Sequence, residues 1–131
     1  MDTDDSLSTA VVVGDDGGAV LKKVSSTLEK AGFLVVTGPT GKAALDRCRA
    51  EHRVVDLAVI DTGAPGVKPL EVAERLQEMS PHVRLLFLSD GAECFPEAPG
   101  HIQRFLRKPF RTSRFLGRVL EMMEQPVALG A

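Results

Sequence analysis

The sequence predicts an α/β protein built on a parallel β-sheet. Short apolar segments, which are typical of buried strands, alternate along the chain with segments whose apolar residues recur at helical spacing. The strand segments are apolar almost without interruption, as expected of a sheet that helices cover on both faces. Polar residues directly follow three of the strands. Since ligands bind beyond the carboxyl ends of parallel strands, this pattern places a candidate site at that edge.

The elements follow from local patterns. Strands are expected at residues 10–14, 33–37, 56–61, 83–88 and 103–107, and helices at about 21–31, 41–48, 70–79 and 112–124. Gly32 is placed to cap the first helix at its C-terminal end, and Thr40 or Gly41 to open the second. The apolar face of the last helix is expected to hold Phe115, Leu116, Val119, Leu120 and Met123.

The segment from 91 to 101 departs from the regular alternation. It contains Pro96, Pro99 and Gly100, which a regular helix accommodates only at a cost. We therefore expect a short or distorted fourth helix where a (βα)₅ arrangement would have a full one.

Length and composition indicate one cytoplasmic globular domain. The chain has 131 residues, with 44% hydrophobic and 26% charged, and its net charge of -2 argues against broad nucleic-acid binding. No apolar run approaches a membrane span, and the acidic N-terminus is followed by no secretory region. Cys48 and Cys94 are expected to be reduced thiols. The domain is expected at 10–124, between a flexible N-terminal tail at 1–9 and a C-terminal tail at 125–131.

The candidate site is acidic. Asp61 ends the third strand, Asp15 and Asp16 follow the first, and Ser89 follows the fourth. Crowded carboxylates repel one another, and a hard divalent cation such as Mg²⁺ relieves the repulsion by binding their oxygens. A carboxylate beside that cation can act as a nucleophile and form an acyl phosphate. Lys108, after the fifth strand, is the candidate fixed cation, and Ser89 is the candidate hydroxyl donor.

These residues, taken in order, resemble a known family. The chain is similar to the receiver domains of two-component response regulators over about residues 10–124. The resemblance depends on the acidic pair, Asp61 with a proline four residues later, Ser89, and a Lys-Pro-Phe run at 108–110. It implies a doubly wound, flavodoxin-like fold with strand order 2-1-3-4-5.

The resemblance also implies roles for individual residues. Asp61 would be the phosphoacceptor and would ligate Mg²⁺ together with Asp16, while Asp15 would act through water and the Gly63 carbonyl would add an oxygen. Lys108 would pair with the phosphoryl group. Ser89 would move toward that group on activation, and Phe105 stands where the family has its aromatic switch residue.

Each of these residues also has an ordinary structural interpretation. Asp61 could be a plain strand-end residue, and the acidic pair could cap the first helix. Ser89 could be a turn residue and Lys108 a solvated lysine. Phe105 lies on a short strand, and core packing is the simpler interpretation of it.

Two further features concern regulation and partners. Asp90 follows Ser89 where receivers usually have a small residue, so it could repel a phosphoryl group or point to solvent. The resemblance implies that Gly63 and Gly91, two residues after Asp61 and Ser89, flank the path of the attacking water, and neither has a side chain there. We predict that Asp90→Ala changes the lifetime of the phosphorylated form. Arg111, Arg114 and Arg118 recur at helical spacing. With Phe105 they form either a solvated face or a docking surface for a protein target or a second copy.

The expected function is phosphoacceptor in a two-component phosphorelay, taking a phosphoryl group from a histidine kinase or phosphotransfer protein. Such a domain assists its own phosphorylation and dephosphorylation but is not an enzyme in the usual sense. The chain ends at Ala131, so a stand-alone receiver is expected, or one excised from a hybrid kinase. The alternative is an interaction module that works without phosphorylation. A small hydrolase is a third hypothesis, although His52, His82 and His101 are not placed to assist it.

Overall fold

A five-stranded parallel sheet forms the centre of the molecule. The computed structural model describes residues 7–14, 18–64, 66, 68–91 and 102–125. The strands are Thr9–Val13 (β1), Leu34–Gly38 (β2), Leu57–Asp61 (β3), Arg84–Ser89 (β4) and Gln103–Arg107 (β5). They lie in the order β2-β1-β3-β4-β5, and every neighbouring pair is parallel. The predicted fold class and strand order are confirmed.

Four helices connect or follow the strands in the described residues. They are Ala19–Lys30 (α1), Gly41–Ala50 (α2), Pro69–Met79 (α3) and Thr112–Glu124 (α4). The hydroxyl of Thr40 accepts a hydrogen bond from the amide of Ala43 at 3.1 Å, which satisfies a free donor of the first turn of α2. Gly32 follows α1 with a φ of 98°, a conformation that glycine adopts without steric cost. The predicted short or distorted helix lies outside the described residues, which resume at 102.

Alternation along the strands divides the core into two layers. Val11 and Val13 of β1 face one layer, and Ala10 and Val12 face the other. The first layer is closed by α2 and α3, whose buried residues include Leu45 and Leu76. The second is closed by α1 and α4; its buried helix residues are Leu21, Val24, Leu28, Phe115, Val119 and Met122. Each fully buried aliphatic or aromatic side chain contributes about 1.5–3 kcal/mol, so both layers contribute to the stability of the sheet.

One part of the expected apolar face of α4 was wrong. Phe115, Val119 and Met122 are buried, whereas Leu120 is 47% exposed. The three buried residues are spaced i, i+4 and i+7 and so form one stripe. Leu120 comes one residue after Val119, which turns it about 100° away from the sheet.

The topology fixes where a site can form. Strand order reverses at β1, since the chain passes from β1 outward to β2 and then returns to β3 on the other side. The crevice beyond the carboxyl ends of β1 and β3 is therefore the expected binding position of an open parallel sheet. None of the helices in the described part of the chain combines the length and apolar character needed to cross a bilayer.

Candidate functional site

Asp61 is a nearly buried carboxylate at the carboxyl end of β3. It pairs in register with Leu88 of β4, and the residue is only 8% exposed. Its Oδ1 accepts a hydrogen bond from Lys108 Nζ at 2.7 Å and another from the amide of Gly63 at 3.0 Å. A buried charge needs such partners because it has lost most of its hydration. The structure thus brings Asp61 and Lys108 together, as the sequence predicted.

Lys108 carries the positive charge of the site. Its backbone amide donates to the Ser89 carbonyl at 2.8 Å, which continues the β4–β5 pairing, and its peptide bond to Pro109 is cis. Burial by itself would lower the pKa of Lys108. The hydrogen bond and charge of Asp61, with a further contribution from Asp90, outweigh burial and raise that pKa above its ordinary value. Lys108 therefore holds its proton more firmly than an ordinary lysine, and its side chain is 17% exposed and paired, so it is not a solvated lysine.

Asp90 turns toward the site. Its Oδ1 lies 3.4 Å from Lys108 Nζ, although 69% of its side chain is exposed. Its Oδ2 lies close above Gly63, since a Cβ placed on that glycine would be 2.7 Å from it. Of the two orientations left open by the sequence, the structure has the one in which Asp90 faces Lys108 and Gly63.

Ser89 forms a local turn in this structure. Its hydroxyl accepts from the amide of Gly91 at 3.2 Å and is placed to donate to the Gly91 carbonyl at 3.1 Å. The residue is buried at the end of β4. To donate to a group on Asp61, Ser89 would have to exchange its contact with the Gly91 carbonyl.

Phe105 packs in the layer closed by α2 and α3. Its ring stacks on that of Phe87, with centroids 5.2 Å apart and planes inclined by 23°. The two residues are paired in the β4–β5 register, and Phe105 is partly buried against the core. This packing agrees with the simpler interpretation, while the switch role stays a prediction.

The acidic pair, Asp15 and Asp16, lies outside the described residues. Gly14, the residue before it, is buried beside Asp61. A Cβ on Gly14 would be 3.4 Å from the Cβ of Asp61 and 3.8 Å from its Oδ2. Gly14 was missed as a site residue. The available signal was a glycine between a buried strand and two acids.

Two of the predicted Mg²⁺ ligands, Asp61 and Gly63, fall within the described residues. Those residues contain no group of three or more His, Cys, Asp or Glu side chains that could hold a metal ion. Both described hydrogen bonds to Asp61 end on Oδ1, and Oδ2 is the oxygen on the Gly14 side. A carboxylate and a backbone carbonyl are hard oxygen donors, so this partial set fits Mg²⁺ in chemical type.

The three predicted surface arginines differ in their surroundings. Arg111 and Arg114 are exposed at the start of α4, whereas Arg118 is 30% exposed and lies 3.5 Å from Glu121. Arg104, from the same basic stretch, donates to the side chain of Gln125 at 2.9 Å. Of these four arginines, the two exposed ones therefore lie at the start of α4.

Comparisons with known proteins agree with this arrangement. The family model described as the response regulator receiver domain matches residues 11–120, which is most of the chain. The match includes all five strands except the first two residues of β1.

Among curated proteins, the transcriptional regulatory protein KdpE of Mycobacterium tuberculosis is 29% identical over 113 residues, covering 85% of this chain and 49% of its own length. The alkaline phosphatase synthesis transcriptional regulatory protein PhoP of Bacillus subtilis is 25% identical over 122 residues. This match covers 91% of this chain and 50% of PhoP. The chain therefore spans about half the length of these relatives.

Solved structures with the same fold are numerous. The receiver domain of the hybrid histidine kinase CckA superposes with a TM-score of 0.73 at 20% identity, covering 88% of this chain and 99% of that one. The chemotaxis response regulator CheY4 of Vibrio cholerae superposes with a TM-score of 0.69 at 26% identity. The superposition covers 88% of this chain and 98% of CheY4.

Proposed function

Because the chain belongs to the response regulator receiver domain family, we propose that Asp61 accepts a phosphoryl group from the phosphohistidine of a histidine kinase or a phosphotransfer protein. The observation that carries the proposal is the 2.7 Å contact between Lys108 Nζ and Asp61 Oδ1. It places a fixed cation against a carboxylate at the strand edge where ligands bind.

The reaction itself is a single displacement at phosphorus. A carboxylate oxygen of Asp61 forms the new P–O bond while the P–N bond of the phosphohistidine breaks, and the electron pair of that bond returns to the imidazole. Such transfers depend mainly on positioning and on neutralising the phosphoryl oxygens. Lys108 supplies one positive charge. The effect of burial is offset by Asp61 and Asp90, so the pKa of Lys108 stays above the ordinary lysine value.

Mg²⁺ is part of the proposal. Asp61, Asp16 and the Gly63 carbonyl would hold it directly, and Asp15 through water. When bound, the ion neutralises charge on the carboxylates and the phosphoryl oxygens. The side-chain chemistry of this chain is then limited to accepting the group on Asp61, pairing it with Lys108 and donating from Ser89.

After phosphorylation, Ser89 is the residue that responds. A phosphoryl group adds about -1.5 to -2 charges and strong acceptor oxygens at the end of β3. These attract the Ser89 hydroxyl away from the Gly91 carbonyl. Ser89 pairs in register with Arg107 of β5, two residues after Phe105. A movement of Ser89 is therefore expected to affect the face around Phe105 and the arginines at the start of α4. That face is the proposed contact for a protein target or a second copy.

A second candidate function has one specific observation in its favour. Asp90 already pairs with Lys108 at 3.4 Å, so the cation has a carboxylate partner without any phosphoryl group. A receiver-like interaction module that works without phosphorylation would have this property.

The test is incubation with Mg²⁺ and acetyl phosphate, followed by intact-mass analysis. We expect a single phosphate adduct on the wild type, none on Asp61→Asn, and none when EDTA replaces Mg²⁺. Asp46→Asn is the matched control, because Asp46 is an exposed carboxylate on α2, and it should retain the adduct.

Two other results would contradict the proposal. A wild type without adduct would favour the interaction module. Phosphate release over many turnovers would favour a hydrolase.

A further inference from the structure

We propose that Asp90 is an internal competitor of the phosphoryl group: in the unphosphorylated protein its carboxylate occupies the space beside Lys108 and above Gly63 that a phosphoryl oxygen on Asp61 would take. The inference rests on the proposed function and adds to it a residue that opposes phosphorylation. Asp90 has to leave before Lys108 can pair with the incoming group.

The first support is the arrangement of charges around one cation. Lys108 Nζ lies 2.7 Å from Asp61 and 3.4 Å from Asp90, so two carboxylates from neighbouring strand ends share a single ammonium. The Lys108 side chain is 17% exposed and that of Asp61 is 11% exposed. Asp90 therefore reaches from the surface into a site whose other two members are largely buried.

The second support is the space above Gly63. A Cβ on Gly63 would be 2.7 Å from Asp90 Oδ2, 3.5 Å from Lys108 Nζ and 3.7 Å from Asp61 Oδ1. Only the first of these is shorter than an ordinary van der Waals contact. Glycine at position 63 thus leaves room for the Asp90 carboxylate in particular, which also lies 3.4 Å from Lys108 Nζ.

Electrostatics decides the direction of the effect. An incoming dianionic phosphoryl group and the Asp90 carboxylate carry the same sign and use the same ammonium. The Asp90 side chain is 69% exposed, so it can turn into water at the small cost typical of exposed ion pairs. Asp90 therefore slows phosphorylation without preventing it, and returns to Lys108 when the phosphoryl group is lost.

The main test compares rates of adduct formation with acetyl phosphate and Mg²⁺ by intact mass. We expect Asp90→Asn to react about two- to fivefold faster than wild type, the factor that corresponds to removing an exposed ion pair. Glu121→Gln is the matched control, since it removes the same charge from an exposed partner of Arg118. It should leave the rate unchanged.

A second variant probes the space itself. Gly63→Ala keeps the backbone carbonyl but places a methyl group only 2.7 Å from the present position of Asp90 Oδ2, so Asp90 must move without losing its charge. Gly63→Ala should change the rate of adduct formation in the wild-type background. It should change that rate much less in the Asp90→Asn background, because the displaced side chain is then uncharged. Additive effects of the two substitutions would contradict the proposed placement.

A third measurement needs no phosphorylation. The amide NMR resonance of Gly63 should shift in unphosphorylated Asp90→Asn and stay in place in Glu121→Gln. An unmoved resonance would place Asp90 away from Gly63 and overturn the inference.

The results separate the two proposals. If wild type and Asp90→Asn form the adduct equally fast, or Asp90→Asn is slower, Asp90 is not a competitor, while the phosphoacceptor function stands. An adduct on Asp90→Asn with none on wild type would contradict a competitor that only slows the reaction, because Asp90 would then prevent it. Absence of an adduct from every variant would reject the phosphoacceptor function and the competitor role together.

Discussion

Lys108 Nζ and Asp61 Oδ1 lie 2.7 Å apart although 47 positions separate the two residues in the chain. Neither side chain is well hydrated there, with 17% and 11% exposure. A pair of this kind is costly to break from one side, since the remaining charge loses its partner in a poorly hydrated position. The contact therefore links the stability of the strand edge to the chemistry proposed for it.

Lys108→Gln should lower the free energy of unfolding by about 1–3 kcal/mol, because it removes a charged hydrogen bond from Asp61. Urea denaturation followed by circular dichroism measures the change, since the chain has no Trp or Tyr. Lys42→Gln is the matched control. Lys42 is 89% exposed and lies 3.7 Å from Asp46, so its loss should cost at most about 0.5 kcal/mol. Equal costs for the two substitutions would contradict the importance of the Lys108–Asp61 pair.

Stability should fall between pH 9 and pH 11 because of Cys48. Burial in the α2 layer, together with the charge of Glu51, raises the pKa of Cys48 from 9.0 to about 11. The folded chain keeps this proton above pH 9 while the unfolded chain releases it, so the stabilisation is complete below pH 9 and declines as pH rises to 11. The loss is of the order of 2 kcal/mol.

The measurement for Cys48 is the urea midpoint as a function of pH. In Cys48→Ala the decline over this range should be smaller than in wild type, whereas Cys94→Ala should retain it. The pKa of Lys108 is also raised. A further fall of the urea midpoint above pH 10.5, the ordinary pKa of lysine, is therefore expected in both variants. Identical slopes in wild type and Cys48→Ala would contradict this assignment.

Two Gly→Ala substitutions should change the free energy of unfolding in opposite directions. A Cβ at Gly41, in the first turn of α2, would overlap the side chain of Val72 on α3. Gly41→Ala should therefore destabilise by about 1–3 kcal/mol through overpacking. Gly117 lies inside α4 with nothing within 4 Å of its Cβ position, and Gly117→Ala should stabilise by about 0.5–1 kcal/mol through helix propensity. Thermal unfolding distinguishes them, and a stabilising Gly41→Ala would mean that α2 and α3 are further apart.

Phe105→Leu should cost about 1 kcal/mol, since it removes the ring that stacks on Phe87. Leu120→Ala is the control on an exposed position and should change stability by no more than about 0.5 kcal/mol. Urea denaturation measures both. A Phe105→Leu cost no larger than that of Leu120→Ala would place the ring outside the core. Whether the ring also acts as a switch is decided by whether its NMR resonances move on phosphorylation.

Much of the fold was predictable because its signals are local. The alternation of apolar strands with amphipathic helices predicted every described element to within a few residues, and Gly32 and Thr40 marked helix ends correctly. Strand order came from the family resemblance, since periodicity does not say which strands pair. The exposure of Leu120 was not predictable from apolar character, because it depends on the angle at which α4 lies on the sheet.

The sequence by itself determined that Asp61, Ser89 and Lys108 come at the ends of strands. It could do so because each lies directly beside an apolar segment, and parallel strands bring those ends to one edge. Only the tertiary structure decided what the side chains do there. Asp90 turns to Lys108 and Gly63, Ser89 bonds to Gly91, and Gly14 lies beside Asp61. The directions of Asp90 and Gly14 depend on charges and free space contributed by residues distant in sequence, which no local pattern encodes, whereas the Ser89–Gly91 turn is a local contact.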